Sequence, residues 1–316
     1  MEKKRNIFFR FFRYIYLSYI PNRRDSILQI LTKILLLICL VALIVSSTYV
    51  VNYFLTAEKQ DELINKSRDI WYSDSNEQED ASEGDLISEA ERALLKENPD
   101  FKGWIRLNNT KIDNPIYQAE NNMYYLDHNQ KGEKSVYGAL YFDCKNRITE
   151  EVTDKNLVIY GHEMRNGSMF GNLKKLKNLD FYKQNPVIQF SSLYRKAAWY
   201  DYKIFAVFVL NAAKKDDNGY IYNIYRSKFS NEAEFEKWSS EAYERSVINT
   251  NVDVKLGDNI ITLVTCSSDF KNSRLVVMAR EVREGESYIV DTSQATVNKN
   301  PLYPARWYKE RGIKKK

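Results

Sequence analysis

The run IITLVTC, residues 260–266, is the most informative part of this 316-residue chain. Its apolar and β-branched residues are typical of a buried strand, and the run ends at a thiol, Cys266. A similar run, RLVVMAR, begins at Arg274, and a third, NLVIYGH, ends at His162. A thiol, an imidazole and a guanidinium at strand ends are the parts of a cysteine acyl-transfer site.

Each of these three residues also has an ordinary structural interpretation. A cysteine in a strand is often a small buried apolar residue, a histidine after a glycine is often a turn residue, and an arginine at a strand start is often a solvated flank. The chain has only two histidines and three cysteines. Because all three residue types occur at strand ends in a chain that has so few histidines and cysteines, the sequence favours the active-site interpretation.

The remaining histidine and cysteines are weaker candidates. His128 lies in a polar loop segment, so His162 is the predicted acid–base residue. Cys144 has no histidine near it in sequence, and Cys39 lies inside an apolar run. Cys144 and Cys266 are therefore the one possible disulfide, but a free thiol at Cys266 is the simpler interpretation. Two separated histidines without a C-x-x-C motif give no zinc pattern, and we expect neither metal nor cofactor.

Three arginines compete for the cationic role: Arg274, Arg280 and Arg283. The planar, permanently charged fork of arginine suits an oxyanion better than lysine does. Arg280 lies an even number of residues from Arg274, so both side chains can point to the same face of a strand. The shorter distance to the end of the cysteine strand favours Arg274.

These segments resemble the sortase family. TLVTC at 262–266, with an arginine eight residues on, looks like the TLxTC signature, and YGHEM at 160–164 with MFGNL at 169–173 looks like the histidine segment. Segments 98–105, 110–116 and 122–126 match the opening strands of the family in order. The resemblance covers roughly residues 85–283 and fits class B best, because a helical pattern at 231–247 precedes the cysteine strand. Ser267 departs from the acidic residue that many class B members carry there.

The resemblance implies a mainly β fold: a closed eight-stranded β-barrel with short helices and a longer helix before the cysteine strand. It implies a cysteine transpeptidase with Cys266 as nucleophile, His162 as proton shuttle and Arg274 as oxyanion residue. The substrate would be a secreted protein with a C-terminal sorting signal resembling Asn-Pro-x-Thr-x, cleaved after Thr through a thioacyl-enzyme. The acceptor would be an amine of a peptidoglycan precursor or of a pilin. A membrane-anchored cysteine protease and a non-catalytic wall-binding barrel are the alternatives.

Short β-type runs fill the region that carries these motifs, without a βαβ rhythm. This pattern by itself favours a closed antiparallel barrel or a sandwich. Helical spacing is present at 86–97, 169–179 and 231–247, with Ser230 or Asn231 as a possible N-cap of the last. The eight predicted strands are 103–107, 111–118, 138–142, 157–160, 187–190, 202–210, 260–266 and 275–280.

The N-terminal part of the chain has the pattern of a membrane anchor. Residues 34–51 contain no charge, and apolar character continues to Leu55, which is long enough to span about 30 Å of hydrocarbon. Residues 1–33 hold eight Lys or Arg against two acidic residues, which predicts that they are cytoplasmic. We therefore expect a single-pass membrane protein with one uncleaved N-terminal transmembrane helix, in contact with lipid, and an extracellular catalytic domain.

Composition and charge complete the expected organisation. It comprises a basic cytoplasmic segment (1–33), a transmembrane anchor (34–55), an acidic stalk (56–84), a catalytic domain (85–283) and a basic C-terminal tail (284–316). The net charge of +5 is concentrated near the N-terminus, and no basic stripe in the rest of the chain predicts a nucleic-acid partner. The tail either contacts anionic wall polymer or lipid, or is a flexible terminus without a role.

Overall fold

The computed structural model describes residues 13–14, 16, 18–73, 87–195 and 199–314, which fall into two compact units, Met1–Lys59 and Gln60–Lys316. Within the described part of the first unit, the dominant element is the apolar portion of helix α1 (Ile27–Ser73). Most of its large apolar side chains are exposed, Leu35 and Leu43 among them. This helix is long and apolar enough to cross a membrane.

The second unit is built on ten strands. They are β1 (Phe101–Arg106), β2 (Asp113–Tyr117), β3 (Leu140–Phe142), β4 (Asn156–Tyr160), β5 (Val187–Ser192), β6 (Tyr200–Asn211), β7 (Ile248–Asn249), β8 (Ile260–Cys266), β9 (Ser273–Glu281) and β10 (Thr296–Val297). Eight of them close into a barrel in the order β1-β2-β3-β4-β8-β9-β6-β5. The eight-stranded barrel is confirmed, and each predicted strand overlaps one barrel strand.

The barrel is mixed rather than wholly antiparallel, which corrects the expectation from the strand pattern. Strands β2 and β3 pair in parallel, as do β4 and β8. Parallel neighbours need a long crossover connection, whereas antiparallel neighbours can be joined by a short hairpin. The chain supplies these crossovers between β2 and β3 and between β4 and β8, and sequence periodicity carries no information about strand direction.

Two of the three predicted helices are confirmed. Helix α2 (Glu89–Glu97) begins with a capping box between Ser88 and Glu91. The helix before the cysteine strand (Glu232–Arg245) is capped by the Asn231 side chain, which accepts a bond from the Glu234 amide. Its Phe235, Trp238 and Ala242 are buried in a cluster with strands β6, β8 and β9. The helix Glu232–Arg245 is α5. The other short helices are α3 (Tyr124–Asp127), α4 (Leu179–Gln184) and, in the C-terminal region, α6 (Ala305–Glu310).

The helix predicted at 169–179 is wrong in its bounds. The structure has a 3-10 helix (Leu173–Lys177) followed by α4, and Met169 lies outside both. The φ of Met169 is 49°, a left-handed conformation that no α-helix accommodates. Met169 instead forms a bridge with Glu163, which closes the loop after β4.

The predicted stalk differs from the structure in its first part. Helix α1 extends to Ser73, and within the second unit its side chains Leu63, Ile64 and Trp71 are buried. The Trp71 ring stacks on Trp104 of β1, with 5.0 Å between centroids. These apolar residues recur at helical spacing among polar ones and form one apolar face of the helix. The overall composition of the predicted stalk is polar, so composition alone did not indicate this face. Residues 74–86, the later part of the predicted stalk, lie outside the described residues.

The C-terminal tail is folded against the second unit as far as residue 314. Strand β10 pairs with β7, Ala295 is buried, and Leu302 N donates to Glu244 O at 2.8 Å. The tail is therefore not a flexible terminus, and its packing was not predicted. The tail has no periodicity because its two elements are only two and six residues long.

Candidate active site

The three predicted site residues meet at one end of the barrel. Cys266 ends β8, and its register partner in the antiparallel strand β9 is Arg274. On the other side, β4 pairs in parallel with β8, with Tyr160 opposite Val264. His162 lies two residues beyond Tyr160, as Cys266 lies two residues beyond Val264. The neighbouring strands therefore bring Arg274 and the segment that carries His162 to the two sides of the end of β8.

Cys266 is a free thiol, and it is exposed where the rest of β8 is buried. Residues 260–265 are core residues, which anchor the strand and fix the position of its last residue. Cys144 and Cys39 are also free, so the alternative disulfide between Cys144 and Cys266 is absent. A fixed, solvent-accessible thiol next to a guanidinium is suited to nucleophilic chemistry.

His162 is oriented by the backbone of another segment. Its Nε2 lies 2.6 Å from the carbonyl oxygen of Leu126, in α3. A carbonyl only accepts, so this nitrogen carries a proton, and Nδ1 is the ring nitrogen left for exchange with a substrate. The role of Leu126 has no signal in the sequence, because the contact is made by a backbone carbonyl 36 positions away from His162.

Tyr141 of β3 is a further residue of the site that the sequence analysis missed. Burial raises the pKa of its hydroxyl to about 12. The charge of Arg274 lowers this pKa, whereas Asp143 and Cys266 raise it further. The charges of Arg274 and Cys266 therefore act on the Tyr141 hydroxyl. The alternation of Tyr141 and Asp143 at the end of a strand is the signal that would have found it.

A chain of hydroxyl groups continues from this wall of the site. Tyr160 donates to the Asp143 carboxylate at 2.9 Å, and its oxygen lies 3.1 Å from that of Tyr225. Asn122 donates to the same carboxylate at 2.8 Å. Burial raises the pKa of Tyr160, with Tyr225 and Asp143 adding to the effect, so its proton is firmly held. The exposed Tyr225 ring brings the connection between β6 and α5 to the site.

The competing arginines serve the opposite end of the barrel. Arg280 is the register partner of Ile260, at the start of β8, and is only 1% exposed. Its guanidinium pairs with Asp253 at 3.0 Å and with Glu286. Arg283 pairs with Asp253 and with Asp258, also away from the cysteine. The structure thus brings Arg274, and neither competitor, to Cys266.

His128 is likewise committed to its own loop. Its ring stacks on Tyr124, with 4.6 Å between centroids, and its Nδ1 lies 2.7 Å from the carboxylate of Asp127. The Cys144 amide donates to Asn122 at 2.7 Å, which ties that loop to the wall of the site. Among residues 18–73, 87–195 and 199–314, no group of three or more His, Cys, Asp or Glu is placed to hold a metal ion.

Comparisons with known proteins agree with this geometry. A sortase domain model matches residues 105–282. The chain is 37% identical to sortase B of Listeria monocytogenes over 193 residues, 60% of this chain and 73% of that protein. It is 29% identical to sortase B of Staphylococcus aureus over 193 residues, 60% of this chain and 74% of that protein. The crystal structure of Bacillus anthracis sortase B in complex with AAEK1 superposes with a TM-score of 0.60 at 29% identity, covering 73% of this chain and 99% of that one.

A closed barrel with a thiol, an imidazole and a guanidinium at the same end, together with these matches, defines a class of enzyme. The chain belongs to the sortase family. It is a cysteine transpeptidase of the class B type.

Proposed function

We propose that this enzyme cleaves a sorting signal resembling Asn-Pro-x-Thr-x after Thr and transfers the new carboxyl end to a cell-wall or pilin amine. The observation that supports this proposal is the strand register: Cys266 is paired with Arg274 of β9, and β4, which leads to His162, pairs with β8 on the other side. The substrates would be secreted proteins bearing a C-terminal signal, and the acceptor a peptidoglycan precursor or a pilin subunit. The signal and the acceptor follow from the family resemblance.

In the first step the thiolate of Cys266 attacks the Thr carbonyl, forming the carbon–sulfur bond of a tetrahedral intermediate. Arg274 donates to the developing oxyanion as a fixed cation. The carbon–nitrogen bond then breaks, and protonated His162 gives its Nδ1 proton to the leaving amine. The bond from Nε2 to Leu126 O holds the ring in the orientation that this transfer requires.

In the second step an unprotonated amine attacks the thioester. Neutral His162 takes the proton of the incoming amine through Nδ1, and the Cys266 thiolate leaves as the amide forms. Water can follow the same route and yield a free carboxylate, which is the outcome that a cysteine protease would give. Transpeptidation therefore differs from proteolysis in the nucleophile that resolves the thioester.

The test uses the purified full chain in detergent with an Asn-Pro-x-Thr-x peptide and a panel of oligoglycine, diaminopimelate and lysine amines. Cys266→Ala should abolish both cleavage and the covalent intermediate seen by mass spectrometry, while circular dichroism stays unchanged. A suitable amine should speed turnover and divert product from acid to amide. Cleavage by Cys266→Ala would remove the nucleophile assignment, and fast hydrolysis indifferent to every amine would leave a protease.

A further inference from the structure

The loop that joins Cys266 to Arg274, residues 267–272, is organised around one carboxylate. Asp269 accepts two contacts from Lys177 Nζ, at 2.8 and 2.9 Å, and one from the Ser267 hydroxyl. Ser267 is the residue directly after the thiol, so one carboxylate connects the neighbour of Cys266 to a lysine 92 positions away in sequence from Asp269. We call residues 267–272 the cysteine loop.

The lysine on the other side belongs to the segment that carries the histidine. Lys177 ends the 3-10 helix Leu173–Lys177, which follows the loop after His162. In the same short helix, Lys174 pairs with Glu163 at 3.2 Å, and Glu163 is the residue directly after His162. One short helix thus binds Glu163, the residue that follows His162 in sequence. Through Asp269 it also binds Ser267, the residue that follows Cys266.

The ion pair between Lys177 and Asp269 can hold the cysteine loop in place, because it is partly buried. The side chains of Lys177 and Asp269 are 31% and 16% exposed, so the pair is partly shielded from water. Burial raises the pKa of Asp269, but the bonds from Lys177 and Ser267 outweigh it and hold that pKa below its usual value. Ser273 Oγ donates to Ser267 O at 2.6 Å, and Phe270 is buried, so the cysteine loop is held by internal contacts.

A third element contacts the same loop from the C-terminal segment. Arg311 donates to the backbone oxygen of Asp269 at 3.3 Å, and its guanidinium lies 4.4 Å from the Trp307 ring centroid. Trp307 stacks on Tyr303, with 3.9 Å between centroids. Asp269 is therefore contacted through its carboxylate by the histidine-bearing segment and through its backbone by the folded tail.

We propose that Asp269 and Lys177 are positioning residues that align Cys266 with His162 by joining the cysteine loop to the 3-10 helix Leu173–Lys177. This inference rests on the proposed role of Cys266 as nucleophile. Neither residue touches the reacting atoms: the pair acts through Ser267 on one side and through the helix and Glu163 on the other. Because thiolate stabilisation depends on the distance to a nearby cation, a displaced loop lowers the reactivity of the thiol.

The test compares Asp269→Asn, Lys177→Gln, their double variant and Lys175→Gln in the full chain. Lys175 is the matched control, since it lies in the same helix but its ammonium faces the Phe181 ring, 5.4 Å from the centroid. The readouts are the rate of Cys266 alkylation by iodoacetamide at pH 7, kcat for the peptide cleaved by the parent, and the melting temperature. A small displacement away from the chemistry can be costly, and we expect each single variant to lose about tenfold in kcat.

The two single variants distinguish a positioning role of the ion pair from a direct electrostatic effect of either charge on the thiol. Asp269→Asn removes an anion and Lys177→Gln removes a cation, so a field effect on the thiol would change alkylation in opposite directions. Loss of positioning slows it in both, and the double variant should then lie within about twofold of the slower single variant. Opposite signs, additive losses, or equal losses in Lys175→Gln would overturn the inference. A parent activity that survives Cys266→Ala would instead overturn the proposed function.

Discussion

At the scale of single residues, Arg274 and Arg280 show how position along one strand assigns a task. Arg274 is half-buried, pairs in register with the exposed thiol, and makes a 3.0 Å bond to its neighbour's carbonyl, Ser273 O. Arg280 is fully buried and bonded to two carboxylates. The guanidinium of Arg274 is accessible at the candidate active site, whereas that of Arg280 has a structural role in the buried ion pairs.

Substitution of these two arginines by lysine should therefore affect different properties. Arg274→Lys keeps the charge but loses the planar fork, and loss of one oxyanion donor costs on the order of 10²–10³ in kcat. Arg280→Lys should retain most of kcat but unfold at lower denaturant, because buried bonds to Asp253 and Glu286 are lost. Peptide cleavage and chemical unfolding measure the two effects. The reverse ranking of kcat would move the oxyanion role to Arg280.

At the scale of elements, the C-terminal part of α1 is an integral part of the second unit, which contains the barrel and is called the catalytic unit below. Trp71 is 7% exposed and touches three aromatic rings: it stacks on Trp104, meets Trp199 edge-on at 5.7 Å and tilts against Phe101. Arg68 donates to Asp113 O at 2.9 Å. This burial explains why helix continues through a segment whose composition is that of a polar stalk.

Removal of the Trp71 ring should destabilise the catalytic unit. Trp71→Ala should cost about 3–5 kcal/mol of unfolding free energy, the range for a buried tryptophan. Lys66→Ala is the control on the same helix, because its pair with Glu97 is half-exposed and worth at most about 1 kcal/mol. Guanidinium unfolding of both variants measures the difference. Equal, small losses would show that the helix does not stabilise the barrel.

The C-terminal segment contributes a second element-scale effect through Glu286. Bonds from Arg280, then from Lys203 and the Arg283 amide, hold the pKa of Glu286 well below its usual value, against a raising effect of burial. A carboxylate with a lowered folded pKa stabilises the fold above its unfolded pKa of about 4.3. That contribution is lost as pH falls through the lower, folded pKa.

Replacement of Glu286 by Gln should reveal this linkage. Glu286→Gln should be less stable than the parent at pH 7, and the difference should shrink as pH falls below about 4. Urea unfolding followed between pH 2 and pH 7 gives the two curves. A stability difference that does not change with pH would mean that Glu286 acts through packing and not through its charge.

At the scale of the whole molecule, the distribution of charge predicts orientation in a membrane. The eight cations among residues 1–33 precede the apolar part of α1, and the positive-inside tendency puts them in the cytoplasm. An extracellular catalytic unit would then meet secreted substrates and wall acceptors. This topology remains a prediction.

Cysteine labelling in intact cells tests this topology. In a background where Cys39, Cys144 and Cys266 are replaced by Ser, Ser73→Cys should react with a membrane-impermeant maleimide. Arg23→Cys should react only after the cells are permeabilised. Labelling of residue 23 alone in intact cells would invert the orientation.

Local patterns alone were sufficient to predict much of this protein. The eight barrel strands and the helix before the cysteine strand depend on the residue sequence within each element, and each was predicted near its observed bounds. The apolar anchor at 34–55 was predicted as helix, but helix α1 continues to Ser73. The placement of His162, Cys266 and Arg274 at or just beyond strand ends was also predicted, because each follows or begins an apolar β-type run. Motif order then implied the family, although pattern alone allowed a sandwich as well as a barrel.

Only the tertiary structure decided features that depend on residues far apart in the chain. The parallel pairing of β2 with β3 and of β4 with β8, the bond from His162 to Leu126 O and the pair between Lys177 and Asp269 have no local signature. The same holds for the docking of Trp71 and of the C-terminal segment. Local sequence fixes backbone preference and the identity of a buried face, whereas the partner of that face is chosen by packing across the whole domain.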